Sequence, residues 1–142
     1  MKNMKGKFRP QNPKKYSGNP TNIVYRSKWE LDMMLYFDKN IDIIEWGSEE
    51  IVIPYISPLD NKMHRYFPDF IIKTKSKQII IIEVKPFNQT RAPAVSAKKT
   101  NSFISEVTTW VVNEAKWKAA LQYCKDRGYT FQILTEKEIY GK

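Results

Sequence analysis

The chain has 142 residues, 42% of them hydrophobic and 27% charged, with five Gly, eight Pro and a formal net charge of +9, values that describe one globular domain able to bury roughly two thirds of its unfolded surface. Its lone cysteine, Cys124, excludes an intrachain disulfide and fits a reducing, cytoplasmic site of synthesis. The longest aliphatic run, residues 79–82, is far below the ~20 residues that cross a bilayer, and Phe8-Arg9-Pro10 follows the basic N-terminus, so we expect neither a spanning segment nor a signal peptide.

Charge is unevenly spread. Residues 1–29 hold eight basic side chains and no acid, residues 84–105 hold four and no acid, and the rest of the chain carries 12 basic and 15 acidic groups. All of the positive excess therefore sits in two segments, the pattern of a surface that meets a polyanion; a solubilising tail with a solvated loop is the plainer reading of the same pattern.

In chain order, residues 1–24 contain three Pro and few aliphatics and read as a basic, partly ordered N-terminal arm that supports no periodic element. Residues 25–142 form the domain. Ser27 with Glu30 three residues later is a capping-box pattern, and Trp29, Met33 and Phe37 keep helical spacing, so a helix runs to about Lys39. A link holding Ile43, Ile44 and Trp46 leads to a strand over residues 50–56. Residues 65–73 and 78–85 flank a short polar link and form an antiparallel hairpin. Residues 79–82 are apolar on both parities, the mark of a central strand covered on both faces. Residues 87–100 are a polar, basic loop of a length that usually has a function. Helical spacing then continues to Gly128, with Asn113 a candidate break, before a strand over residues 129–134 and a short helix opened by Thr135 and Glu138. The order α-β-β-β-α-β-α is an α/β sandwich with a central mixed sheet flanked by helices.

The hairpin carries three polar residues where a buried sheet disfavours them: Asp69, Glu83 and Lys85. Centred on Ser76, the pairing sums to 152 and sets Asp69 opposite Glu83, roughly 5 Å apart at the backbone. Alternation puts Lys85 on the Glu83 face, with Ile82 and Val84 on the other. Facing carboxylates repel unless neutralised, and an all-oxygen pair suits Mg²⁺, with Mn²⁺ as a substitute. Such a metal polarises a phosphoryl oxygen and acidifies a bound water, and the lysine orients that water, which together make a phosphodiester hydrolysis site. A charge cluster at a sheet edge is the rival reading, at odds with four isoleucines leading into it. Arg26, at a helix N-terminus, and Arg65, which shares parity with Asp69, are candidate phosphate contacts. Lys14 and Lys15 in the arm and Arg91, Lys98 and Lys99 in the loop are others. His64 alternates away from Asp69, Lys116 reads as part of a solvated helix face, Trp110 and Trp117 as core, and Cys124 as a small buried hydrophobe.

Pro68-Asp69 followed by Glu83-Val84-Lys85 resembles the motif of the PD-(D/E)xK nuclease superfamily. That resemblance implies a restriction-endonuclease-like fold, in which an acidic residue on the first helix often completes the metal site; Glu30 matches it. The strings Tyr25-Arg26-Ser27-x-Trp29-Glu30, Glu45-Trp46-Gly47-Ser48-Glu49-Glu50, His64-Arg65-Tyr66-Phe67-Pro68-Asp69-Phe70, Glu83-Val84-Lys85-Pro86 and Val112-Asn113-Glu114-Ala115-Lys116-Trp117 look like the head completion nucleases of T-even-type tailed phages. What this implies is a small nuclease acting on double-stranded DNA late in head maturation, in the host cytoplasm during assembly or in the virion head, beside capsid portal or neck proteins and without a membrane. TnsA-type transposon endonucleases share the layout, so an endonuclease that needs a partner is one alternative, and a structural DNA-binding head or neck protein is another.

Overall fold

The computed structural model describes residues 3–94 and 100–141. In chain order it contains β1 (Asn3–Phe8), β2 (Ile23–Ser27), α1 (Lys28–Lys39), β3 (Ile43–Ser48), β4 (Ile53–Ile56), β5 (Met63–Tyr66), β6 (Phe70–Thr74), β7 (Ile79–Val84), α2 (Asn101–Arg127), β8 (Thr130–Leu134) and α3 (Glu136–Tyr140), with 3₁₀ turns at Pro13–Lys15 and Phe87–Gln89. The main sheet has the order β3-β6-β7-β8, its first pairs antiparallel and β7-β8 parallel. The run of isoleucines thus occupies a central strand, and Ile81 and Ile82 are 0% and 2% exposed. This is the mixed sheet with flanking helices that the element order implies.

Alternation along β7 divides the interior in two. Ile82 and Val84, with Phe70 and Ile72 of β6, meet Met33, Met34 and Phe37 of α1. Ile81 meets Trp117, Ala120 and Cys124 of α2, together with Ile53, Tyr55 and Tyr66 of a separate β4-β5 ribbon. Local signals set the helix ends: Ser27 Oγ accepts from Glu30 N–H at 3.1 Å, Gly128 adopts a left-handed φ of 72° after α2, and Thr135 and Glu138 complete a capping box.

Four expectations are corrected. Residues 3–24 are built into the fold: β1 pairs with β2, and Phe8, Tyr16 and Ile23 are buried around Trp46. Single aromatics spaced through polar sequence carry no period, which hides such a segment. The link at residues 43–48 is β3, whose register slips between Ile43 and Glu45 and so loses the two-residue alternation. Residues 65–73 are two strands, not one, because Pro68, which has no ladder donor, separates β5 from β6. Asn113 does not divide the long helix; it is buried within α2.

Residues 11–18 hold α1 and the outer edge of β3 in place. Asp38, 2% exposed, accepts from Gln11 N–H at 2.7 Å and Asn12 N–H at 3.1 Å. Lys15 Nζ donates to the carbonyls of Phe37, Asp38 and Asn40 at 2.7, 3.0 and 2.8 Å, satisfying the end of α1. All three ammonium protons of Lys15 are used there, so it is a helix cap and not the phosphate contact expected from sequence. Further along, Tyr16 bridges Trp46 in the parallel sense, Ser17 N–H donates to Trp46 C=O at 2.8 Å, and any side chain at Gly47 would collide with Ser17 Oγ.

Replacing Asp38 with Ala removes the acceptor of two backbone donors and is expected to lower stability by about 2 kcal/mol, with Asp38→Asn milder because one acceptor oxygen remains; urea unfolding midpoints of the two variants check this.

Candidate active site

The β6-β7 hairpin pairs Phe70 with Ile82, Ile71 with Ile81, Ile72 with Ile80 and Lys73 with Ile79, the register that sets Asp69 opposite Glu83. The turn closes with Lys77 N–H donating to Thr74 C=O at 2.9 Å and Lys77 in a left-handed φ of 71°, the geometry of a three-residue hairpin loop. At the open end, Asp69 extends the sheet with its side chain: Oδ2 accepts from Val84 N–H at 2.8 Å while its carbonyl accepts from Glu49 N–H at 3.1 Å. Glu83, 7% exposed, accepts from the Tyr66 hydroxyl at 2.6 Å through Oε1, and its Oε2 lies 3.6 Å from Lys85 Nζ. Ile82 and Val84 point into the α1 core, so Glu83 and Lys85 share the opposite face, as alternation predicts.

Burial dominates the electrostatics. It pushes the Asp69 carboxyl well above the ordinary aspartate value, the neighbouring Glu83 charge adds to the rise, and the Val84 N–H bond opposes it. Burial likewise raises Glu83, against the Tyr66 hydroxyl bond and the charges of Lys85 and Lys116. The Tyr66 hydroxyl is driven up strongly by its own burial and then by Glu83, so it stays a donor.

The remaining candidates divide. Glu30 is half-buried at the start of α1 with its carboxyl raised by burial; Oε1 accepts from Arg26 N–H at 3.2 Å, and its charge reaches Asp69. It is thus part of a cap and close enough to the pair to be felt there. Arg26 Nη1 binds Glu49 Oε2 at 2.6 Å, and Glu49 holds a left-handed φ of 55°, so a guanidinium-carboxylate pair rims the site. Arg65 is exposed on β5 with its guanidinium 5.7 Å from the Phe67 ring. Its neighbour Tyr66 faces Glu83 instead, because the break at Pro68 cancels the parity with Asp69. Lys14 is exposed, Arg91 is exposed and stacks 4.2 Å from the Phe87 ring, and Lys98 and Lys99 lie outside the described residues. His64 pairs with Asp60 at 2.8 Å on the outer ribbon.

Sequence reasoning missed Tyr66 and Glu49 and set aside Lys116, whose Nζ lies 5.7 Å from the Tyr66 ring and 5.9 Å from that of Tyr55. The alternation of β5 could have flagged Tyr66, had Pro68 been read as a strand break.

Among the described residues no three His, Cys, Asp or Glu side chains form a ready ligand cluster. The Asp69/Glu83 pair is nonetheless an all-oxygen donor set whose mutual repulsion is met, among the described residues, by Lys85 at ion-pair distance from Glu83, and these residues fit a hard divalent cation.

A family model for the N-terminal domain of TnsA-like endonucleases matches residues 40–136, a span that contains Asp69, Glu83, Lys85 and Lys116. The chain is 45% identical over 135 residues to the head completion nuclease of Enterobacteria phage T4, covering 92% of this chain and 90% of that protein.

The raised carboxyl groups make the metal-free protein pH-sensitive. A carboxyl with an elevated folded-state pKa binds more protons folded than unfolded, so its favourable contribution is complete below the unfolded value and is lost as pH rises through the folded one. In EDTA at pH 8, Asp69→Asn and Glu83→Gln are therefore expected to raise the melting temperature by about 2–4 °C, roughly 1 kcal/mol at this chain length. The gain shrinks toward pH 4, and thermal melts at the two pH values measure it.

Proposed function

The chain belongs to the TnsA-like endonuclease family, and on that premise we propose that it is a metal-dependent deoxyribonuclease that hydrolyses phosphodiester bonds of double-stranded DNA during completion of a phage head. The observation that carries the reading is the pair of half-buried Asp69 and buried Glu83 at the ends of adjoining strands, with Lys85 beside it. The head-completion role is carried over from the phage T4 relative, whose name states it. On this reading the activity belongs to the host cytoplasm during assembly, and portal or neck proteins are its proposed neighbours. No described helix is long and apolar enough to cross a membrane.

Asp69 and Glu83 would hold Mg²⁺, with Mn²⁺ as a substitute, and Glu30 stands near enough to support the ion or its water. When bound, the ion draws charge from a phosphoryl oxygen and acidifies water. The protein's own groups do the rest. The Tyr66 hydroxyl fixes Glu83 Oε1 and so stops the carboxylate from rotating. Lys85, 3.6 Å from Glu83 Oε2, keeps protons free to orient the attacking water and to meet charge as it grows on the phosphoryl group. Hydrolysis forms one P–O bond from the water oxygen and breaks the bridging P–O bond, the leaving oxygen taking a proton from solvent; Glu30, with its raised pKa, is suited to hold the water's proton. Arg26, exposed Arg91 and Lys14, with Lys98 and Lys99, supply positive charge for neighbouring phosphates.

The expected outcome with linear and supercoiled DNA is cutting with Mg²⁺ or Mn²⁺, none in EDTA, and a loss of about 10³-fold or more in Asp69→Ala and Glu83→Ala. Cutting that persists unchanged in Glu83→Ala removes the mechanism. DNA binding that ignores metal and both substitutions, with no cutting, makes the protein a structural DNA binder.

A further inference from the structure

Lys116 is an unusual residue for the middle of a helix. It is half-buried between the core residues Asn113 and Trp117, and among the described residues no carboxylate lies within ion-pair distance of its ammonium. Two residues on, the same helix supplies a contrast: Lys118 is exposed and pairs with Glu114 at 3.8 Å, the ordinary arrangement on a solvated face. What surrounds the Lys116 ammonium instead is a pair of aromatic rings, Tyr66 at 5.7 Å and Tyr55 at 5.9 Å, a distance at which ring faces hold a cation without neutralising it. The Tyr66 hydroxyl is itself committed to Glu83, and the Lys116 charge is felt at that carboxylate. A half-buried cation is thus held one residue away from the Asp69/Glu83 pair, and among the described residues none takes a hydrogen bond from it.

We infer that Lys116 is a phosphate-binding residue of the active site, its ammonium held by Tyr66 and Tyr55 to take a non-bridging oxygen of the DNA backbone beside the bond that is cut. The inference deepens the nuclease reading and rests on it for the identity of the polyanion. The ligand chemistry is a phosphodiester oxygen, and Lys116 acts there as a point charge that also helps offset the developing negative charge.

The test compares Lys116→Met, which keeps the apolar stem, Lys116→Arg, which keeps the charge, and Lys118→Met as a control on the same helix. Binding to a duplex oligonucleotide in EDTA is measured across a salt series, cleavage is measured with Mg²⁺, and melting temperatures verify folding, with Lys116→Gln replacing Lys116→Met if the latter melts early. Loss of one phosphate contact lowers the salt slope by about 0.9, and cutting falls about 10–100-fold. Lys116→Arg recovers most of both, and Lys118→Met matches the wild type. If the wild type cuts DNA while Lys116→Met binds and cuts as Lys118→Met does, the assignment of Lys116 is wrong and the nuclease reading stands. If the wild type never cuts but Lys116→Met still loses the increment of salt slope, the nuclease reading fails and the phosphate contact survives.

Discussion

Two carboxylates held together at the partly buried end of a hairpin are the constraint on which this structure turns. Asp69 and Glu83 face each other across the hairpin, where burial and mutual repulsion both favour the protonated forms. Each neighbour answers part of that cost. Val84 N–H and the Tyr66 hydroxyl occupy one oxygen of each acid, and Lys85 sits beside Glu83. Such an arrangement makes little sense as a stabilising device, since two apolar residues would serve the sheet better. It makes sense for an endonuclease, where concentrated negative charge is what attracts a hard cation.

The scaffold around the pair is built to keep it still. The carboxylates stand at the open end of the two central strands, and the β4-β5 ribbon brings Tyr66 over Glu83 while packing Ile53 and Tyr55 on α2. On the far face, α1 carries Glu30 to the same end of the sheet, and the position of α1 depends on Asp38 and Lys15 tying its last turn to residues 11–15. The carboxylate pair and the helix cap are thereby linked: a defect at Asp38 loosens the helix whose first turn borders the carboxylates.

What was legible in the sequence followed from strong local rules. Four isoleucines in a row define a strand buried on both sides, and a short polar link centred on Ser76 fixes the register, so Asp69 opposite Glu83 could be read from the sequence. The Ser27/Glu30 spacing marked the start of α1 just as directly. The rest was hidden where contacts are made between residues far apart in sequence. Tyr16 and Phe8 gain meaning only beside Trp46, and Lys15 looked like a free cation until α1 supplied carbonyls for it. Parity counted through Pro68 selected Arg65, whereas the chain restarts there and presents Tyr66. Lys116 was set aside because a helix face that looks solvated on paper becomes half-buried once Tyr55 and Tyr66 of the ribbon lie beside it.

The segment along β3 has a consequence of another kind. An outermost strand of a sheet is a row of unpaired peptide groups, and a second chain can add to it. Here Tyr16 and Ser17 lie against that row, and Gly47 allows them to come close. A basic N-terminus that looks disposable is therefore the cover of a sticky border. Shortening it for crystallisation or fusion strips that border bare and invites chains to stack side by side, so affinity tags belong at the other terminus.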